Sequence, residues 1–368
     1  MEDKINVPFV NLGLSYKKYR SEILSVIDEI GFSGQYILGK HVEEFERLTS
    51  NVCGTKFSIG VGNGTDALAL ILRSIGIGLG DEVITVSNSF LATAGAIVQV
   101  GAKPIFCDVS NDLNIDASSL ESKITDKTKA IIVVHLAGRP VDFDLIKSIS
   151  DKYGIPVVED AAQAIGAKYD GKPIGSLGVA AAFSLHPLKN IGVMGDAGFV
   201  TTNNSMINEY IRLARNHGLV DRDMSEFFSV NTRLDAIQAA IANIKIKELD
   251  YINFRHREIA KRYINELKNI VYCPEEIDKI YSVYHNFIIQ VDAKKRESLI
   301  GFLGDNGIEA KIHYPIPIHK MKAYSIKGVS LIKTEELAEK IVSLPIYPEL
   351  TDKQISYTID KIKEFFGA

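Results

Sequence analysis

Between Phe57 and Thr202 short β-rich runs alternate with segments of helical period, and this alternation leaves the chain few folds to choose from. The runs are Phe57 to Val61, Glu82 to Val86, Pro104 to Asp108, Ala130 to His135, Pro156 to Asp160, Ala180 to Ser184 and Gly198 to Thr202. Most are apolar on both faces, as expected of strands in a mostly parallel sheet covered by helices on each side. Ligands of such sheets collect at the carboxyl ends of the strands. Asp160 and Ser184 both fall there.

After Arg233 the pattern changes to a long charged run of helical period, through Ile241, Ile244, Leu249 and Ile252 toward Tyr263 and Leu267. It reads as a single helix linking two domains. Beyond it the sequence predicts a strand over Phe287 to Val291, a helix over Lys294 to Asp305, a strand over Glu309 to Ile312 and two closing helices. The last of these opens on Thr351 with Gln354 three residues on, a capping box. A length of 368 residues suits two such units. The division expected is 1–245 for a large ligand-binding domain and 246–368 for a small C-terminal α/β domain. Lys322 to Ser330 and Asp221 to Ser229, polar and loop-like, are candidate lids.

Hydrophobic residues make up 46% and charged residues 24%, which excludes a disordered chain. A net charge of −4 gives no reason to expect nucleic acid. The polar start, Met1 to Asn6, lacks the apolar core of a signal peptide. The stretch Phe90 to Ala102 is shorter than the ~20 residues a bilayer requires, so a soluble, cytoplasmic protein without a membrane partner is expected. Cys53, Cys107 and Cys273 are far apart and form no C-x-x-C pair, so they read as packed thiols.

The chemistry concentrates between Pro156 and Gly198. One run ends in Glu159-Asp160-Ala161-Ala162-Gln163, and the next in Phe183-Ser184-Leu185-His186-Pro187-Leu188-Lys189-Asn190. A carboxylate, a hydroxyl and a lysine just past strand ends are what a pyridoxal phosphate site requires: an acid for the pyridine nitrogen, a phosphate ligand, and an amine able to form a Schiff base. Asp160 also fits the N-cap of a following helix. Gln163 lies where a helical turn would bring it toward the ring hydroxyl, whereas Glu159 faces the other side of its strand and is the lesser candidate. Gly62-Asn63-Gly64-Thr65 forms a glycine-rich turn between a strand and an apolar helix, whose amides can bind phosphate. The histidine groups Arg215 to Gly218 and His313 to His319 carry no carboxylate or cysteine at ligand spacing, so no metal is expected.

The series E-D-A-A-Q-A, G-S-L-G, F-S-x-H-P-x-K-N and G-D-x-G resembles the DegT/DnrJ/EryC1/StrS family of pyridoxal phosphate-dependent sugar aminotransferases. The resemblance runs from Val10-Asn11-Leu12 to Ser343-Leu344-Pro345-Ile346-Tyr347-Pro348. It implies the aspartate-aminotransferase fold, fold type I, with a large domain on a mainly parallel seven-stranded sheet plus a smaller C-terminal α/β domain. By the same resemblance Lys189 is the catalytic Schiff-base lysine. Asn63, Gly64, Thr65 and Ser184 hold the phosphate, with Asn63 standing where the family commonly has serine. Phe90 stacks on the pyridine, and Asn88 stands where many relatives place an aromatic. Asn231, in Ser229-Val230-Asn231-Thr232-Arg233-Leu234-Asp235, reaches the phosphate of the other subunit, which implies a homodimer with shared sites. Its other reading is the N-cap of the next helix. Tyr36, His186, His313 and Tyr314 fall on the substrate side, although Tyr36 could equally pack on the helix that follows it.

Relatives that remove a sugar hydroxyl carry histidine in place of the lysine, so Lys189 implies amino transfer. The resemblance implies L-glutamate as donor and a nucleotide-linked keto-deoxy sugar as acceptor, for surface-glycan or amino-sugar biosynthesis. The Ser-Leu-His-Pro-Leu-Lys variant also resembles enzymes that aminate an oxidised octulosonate. A non-catalytic ligand-binding regulator is the reading from a different class.

Overall fold

The computed structural model describes residues 5–324 and 328–368. Among the described residues the strands, numbered in chain order, are β1 (Phe57–Val61), β2 (Glu82–Val86), β3 (Lys103–Cys107), β4 (Thr128–Val134), β5 (Val157–Asp160), β6 (Lys168–Tyr169), β7 (Lys172–Pro173), β8 (Ala180–Ser184), β9 (Gly198–Thr202), β10 (Ile280–Tyr281), β11 (Phe287–Gln290) and β12 (Ile341–Leu344). The helices are α1 (Leu12–Ser33), α2 (Lys40–Cys53), α3 (Gly64–Ser74), α4 (Leu91–Gln99), α5 (Ala117–Leu120), α6 (Phe143–Tyr153), α7 (Ser205–Ala214), α8 (Ala236–Ile246), α9 (Leu249–Leu267), α10 (Ala293–Asp305), α11 (Ile332–Ala338) and α12 (Asp352–Phe366).

A seven-stranded sheet in the order β1-β9-β8-β5-β4-β2-β3 forms the centre. Only β9 runs against its neighbours, pairing antiparallel with both β1 and β8. All of β2, and all of β4 but Lys129, is buried, as befits strands covered on both faces. One cover is α3, whose residues Ala67 to Leu72 are buried without a break. Such a helix is apolar all round because it lies inside the protein. It approaches β8 closely because that strand offers it Ala180 and Ala182.

The run after Arg233 is not one helix. It divides into α8 and α9 at Lys247–Glu248, where Glu248 takes φ −105° and ψ 10°. The break is held from outside, because the Glu248 carboxylate accepts from Tyr19 Oη at 2.8 Å and from Lys18 on α1. A second core gathers Ile259, Tyr263 and Leu267 of α9 with β11, β12, α10 and α12, and draws in Val7 from the start of the chain. The strand expected over Glu309 to Ile312 does not form. Lys311 makes an isolated bridge to Ser343, Ile308 makes one to Val7, and Glu309 is tied to the Phe9 amide at 3.0 Å. The segment is shared between two neighbours and pairs continuously with neither. The capping box on α12 is present as the sequence predicts.

Residues 325–327, within the expected lid Lys322 to Ser330, and most of the polar start Met1 to Asn6 lie outside the described residues. Among the described residues no helix is long and apolar enough to cross a membrane.

Candidate active site

The carboxyl ends of β5 and β8, the α3 N-terminus and two segments of the second core enclose a cavity of about 450 Å³. Asn63, Gly64, Thr65, Phe90, Asp160, Gln163, Ser184, His186, Lys189, His313 and Tyr314 all line it. Tyr36 and Asn231 do not.

Asp160 closes β5 and is buried. No helix follows it, since residues 161–167 run as turns, so its N-cap reading falls away. Its Oδ2 accepts from Thr93 Oγ1 at 2.7 Å and its Oδ1 from the Ala162 amide at 3.2 Å. Burial raises its pKa, with those hydrogen bonds and the Lys189 charge opposing the shift. Among the described residues it forms no ion pair. A buried carboxylate in this state is stabilised by a cation brought to it.

Lys189 stands on a tight loop, in which its own amide donates to the His186 carbonyl and its carbonyl accepts from the Gly192 amide at 2.7 Å. Its side chain is half-buried, and desolvation of the amine in the cleft brings its pKa down to about 8 against the pull of Asp160. An amine so placed exchanges its proton near neutral pH, unlike a surface lysine.

The end of the cavity at the α3 N-terminus is built by close approach of backbones. A Cβ on Gly198 would lie 2.5 Å from the Asn63 carbonyl carbon and 2.8 Å from the Gly64 amide nitrogen. Only glycine lets β9 pass beneath this turn. The first amides of the eleven-residue α3 are thereby set beside Ser184, whose Cβ would lie 3.1 Å from a Cβ on Gly64. Asn63 spends its side chain on the helix: Oδ1 accepts from the Asp66 amide at 2.8 Å and Nδ2 donates to Asp66 Oδ2 at 2.9 Å. The hydroxyl and the helix N-terminus are the groups free to take a phosphate. With a lone buried acid and a desolvated amine in the same cavity, the residues fit pyridoxal phosphate at both ends.

Phe90 is 57% exposed on the cavity wall, its ring 6.0 Å from that of Tyr314. Gln163 does not float free. Its Oε1 accepts from the Ala137 amide at 2.6 Å and its Nε2 donates to Tyr314 Oη at 3.3 Å. Burial pushes the Tyr314 hydroxyl up to about 12 and the neighbouring His313 imidazole down to about 4, so both are neutral at physiological pH. His313 Nδ1 lies 2.9 Å from Ser343 Oγ. His186 accepts from the Leu188 amide at 3.3 Å, turning its ring into its own loop.

Glu159 has a structural task. Its carboxylate accepts from the amides of Gly175, Leu177 and Gly178 and meets His135 Nε2 at 3.1 Å. Asn231 is exposed and pairs by backbone with Asn216. It is not the N-cap of α8, which is Asp235. Tyr36 is half exposed, and its carbonyl accepts from the Ala236 amide at 3.0 Å.

The sequence reading missed Thr93, Lys245 and His285 in the cavity wall or its support. Thr93 lies in a motif already singled out for Phe90, three residues on and one helical turn away. Lys245 and His285 lie on elements that meet the lysine loop only after folding.

The sequence model of the DegT/DnrJ/EryC1/StrS aminotransferase family matches residues 17–363. The chain is 43% identical to the dTDP-3-amino-3,6-dideoxy-alpha-D-galactopyranose transaminase of Aneurinibacillus thermoaerophilus, covering 98% of this chain and 99% of that one. It is 40% identical to a pleiotropic regulatory protein of Geobacillus stearothermophilus, over 98% and 99% of the two chains. The crystal structure of S. venezuelae DesV in complex with ketimine intermediate superposes with a TM-score of 0.95, at 36% identity over 99% of each chain.

Proposed function

From the premise that this chain belongs to the DegT/DnrJ/EryC1/StrS aminotransferase family, and so is a pyridoxal phosphate-dependent aminotransferase, we propose that it transfers the amino group of L-glutamate to a nucleotide-linked keto-deoxy sugar. The observation that carries this reading is the convergence of Lys189 and Asp160 on one cavity roomy enough for a sugar beside the cofactor. The transaminase name of the Aneurinibacillus relative supports the acceptor class.

When bound, the cofactor supplies an aldehyde that takes up nitrogen and a ring that accepts the electrons left at Cα. The protein's part is to place charges and move protons. Asp160, held by Thr93 and the Ala162 amide, would keep the ring nitrogen protonated, the cation its burial calls for. Lys189, titrating at about 8, would hold the aldehyde carbon at rest and, once displaced, take the proton from Cα and deliver it across the shared nitrogen to the former aldehyde carbon. Ser184 and the first amides of α3 would anchor the phosphate, and Phe90 would cover the ring face. His313 and Tyr314, both neutral, would offer the sugar hydrogen bonds without an opposing charge.

The active unit in this reading is a homodimer. Phe228 is fully exposed and Met224 is 60% exposed in the loop that precedes Asn231, an apolar surface suited to a second copy of the chain. Asn231, exposed and outside its own cavity, would bind the phosphate in the partner. Asn231→Ala should weaken cofactor retention by about 10- to 100-fold, from the ~1.5–3 kcal/mol typical of a hydrogen bond to a charged group. Equilibrium dialysis measures it, and unchanged retention would count against shared sites.

A regulator that only binds ligand, the reading suggested by the name of the Geobacillus relative, has no use for a desolvated amine beside a buried acid. The deciding experiment is the absorbance spectrum of the loaded protein with L-glutamate and no sugar. Conversion from the pyridoxal to the pyridoxamine form is expected. A spectrum indifferent to glutamate would reject that donor.

A further inference from the structure

Behind the catalytic lysine a series of side-chain amides runs in one direction only. The Ile165 carbonyl can only accept, and it accepts from Asn253 Nδ2 at 3.0 Å. This fixes the Asn253 amide, which is buried on α9, with its Oδ1 toward the lysine loop. Asn190, next to Lys189, donates through Nδ2 to that Oδ1 at 2.8 Å. Its own Oδ1 therefore faces His285, whose Nδ1 lies 3.2 Å away. An amide oxygen can only accept, and the Asn190 N–H₂ is already given to Asn253, so the hydrogen of this last bond belongs to His285 Nδ1. Gly166 keeps the first link in place: a Cβ there would lie 2.5 Å from Asn253 Nδ2.

The consequence appears on the other side of the ring. His285 lines the cavity, and among the described residues the hydrogen bond its ring makes is the one from Nδ1 to Asn190. Burial is the main bar to protonating the ring, and the positive charge of Lys189 on the neighbouring loop adds to it. His186 and the neutral His256 and His313 stand around it and offer it no counter-charge, so the imidazole pKa lies well below its ordinary value. A neutral imidazole with its hydrogen on Nδ1 presents a lone pair at Nε2.

We propose that His285 is a positioning residue for Lys189, locked by this amide series as the Nδ1–H tautomer so that Nε2 serves as a standing hydrogen-bond acceptor for the lysine amine. The proposal rests on Lys189 being the working amine. An acceptor of this kind favours the ammonium over the free amine and fixes the direction in which the displaced side chain waits. It never competes as a proton donor, which the other tautomer would do. Burial lowers the resting pKa of Lys189 and Asp160 holds it up; a bond to His285 would add to the second of these.

The test uses the full-length protein without cofactor. Histidine-selective ¹⁵N NMR should show His285 protonated at Nδ1 and bare at Nε2 at neutral pH, and Asn253→Leu should produce a mixture of tautomers. An Nε2–H tautomer in the wild type would overturn the proposal. His285→Asn retains an N–H₂ for Asn190 and has no counterpart of Nε2. In that variant the Lys189 pKa, read from the pH dependence of reductive methylation resolved by peptide mass spectrometry, should fall by about half a unit or more, the size of one modest hydrogen bond to the charged form. An unchanged midpoint would also overturn it. If His285→Asn does not fold, the wild-type and Asn253→Leu spectra still decide. Neither readout involves cofactor or substrate, so a negative result here leaves the aminotransferase reading intact. Failure of that reading would show instead in the glutamate spectrum.

Discussion

Lys189→Ala is expected to abolish the visible band of the lysine-bound cofactor and to lower turnover with glutamate by about 10²–10⁴-fold from lost proton transfer alone. The loss should be large because the groups nearest Lys189 are poorly suited to take over. His313 is held neutral with a pKa of about 4 and Tyr314 at about 12, His186 has Nδ1 bonded to its own loop, and Lys245 is engaged by the Gly192 carbonyl. Asp160 cannot substitute either, because both of its oxygens are engaged and, in the proposed reading, it would serve the opposite end of the ring. Folding should be little affected, since a half-buried amine with a lowered pKa contributes no ion pair that its removal would break. Absorbance before and after glutamate, with coupled turnover, measures both effects. Retained turnover would remove Lys189 from the mechanism.

Glu46→Ala is expected to cost about 3–5 kcal/mol of stability, the usual penalty for breaking a buried ion pair from one side. The Glu46 carboxylate, on α2, accepts from Arg215 Nη1 at 2.6 Å, from Arg212 Nη1 at 2.9 Å and from the Gly60 amide at 2.9 Å. Arg215 is buried and its Nε has no partner, so removing the carboxylate leaves a poorly solvated guanidinium in the interior. The network also reaches the active site. The Thr232 amide donates to the Arg215 carbonyl at 2.9 Å, the Thr232 carbonyl accepts from the Gly62 amide at 2.9 Å, and Thr232 Oγ1 donates to Asp66 at 2.6 Å. Loss of Glu46 should therefore loosen both the phosphate turn and the segment that presents Asn231. Urea unfolding of the cofactor-free protein reads the stability, and Glu46→Gln should recover part of it by keeping the acceptor for Gly60. A change below about 1 kcal/mol would mean that the pair is stabilised by little beyond its own desolvation cost.

The sheet was legible because its strands are buried on both faces. Ile131 to Val134 or Val83 to Val86 read as strands with no partner in view, since period and apolarity suffice for a strand that neighbours cover completely. The segment Glu309 to Ile312 has the same local character, but its backbone hydrogen bonds go singly to Ser343 and to Val7 near the start of the chain. The break between α8 and α9 was equally hidden, because Lys247 and Glu248 are good helix residues and what stops the helix is a contact with α1, some 230 positions away.

The amino-acid sequence by itself determined the chemistry that lies along the chain: Asp160 at a strand end, Lys189 in its loop, Ser184 before it, and glycines where backbones must pass. Those are local requirements, met by residue type and spacing. The tertiary structure alone decided how each group behaves. It put Asp160 where burial leaves it without a counter-charge and brought Lys189 to about 8. It committed Asn63 to capping a helix, and it set a directed series of amides from Ile165 to His285. Desolvation and hydrogen-bond polarity depend on what stands opposite a group in space, and those neighbours come from parts of the chain that sequence distance keeps apart.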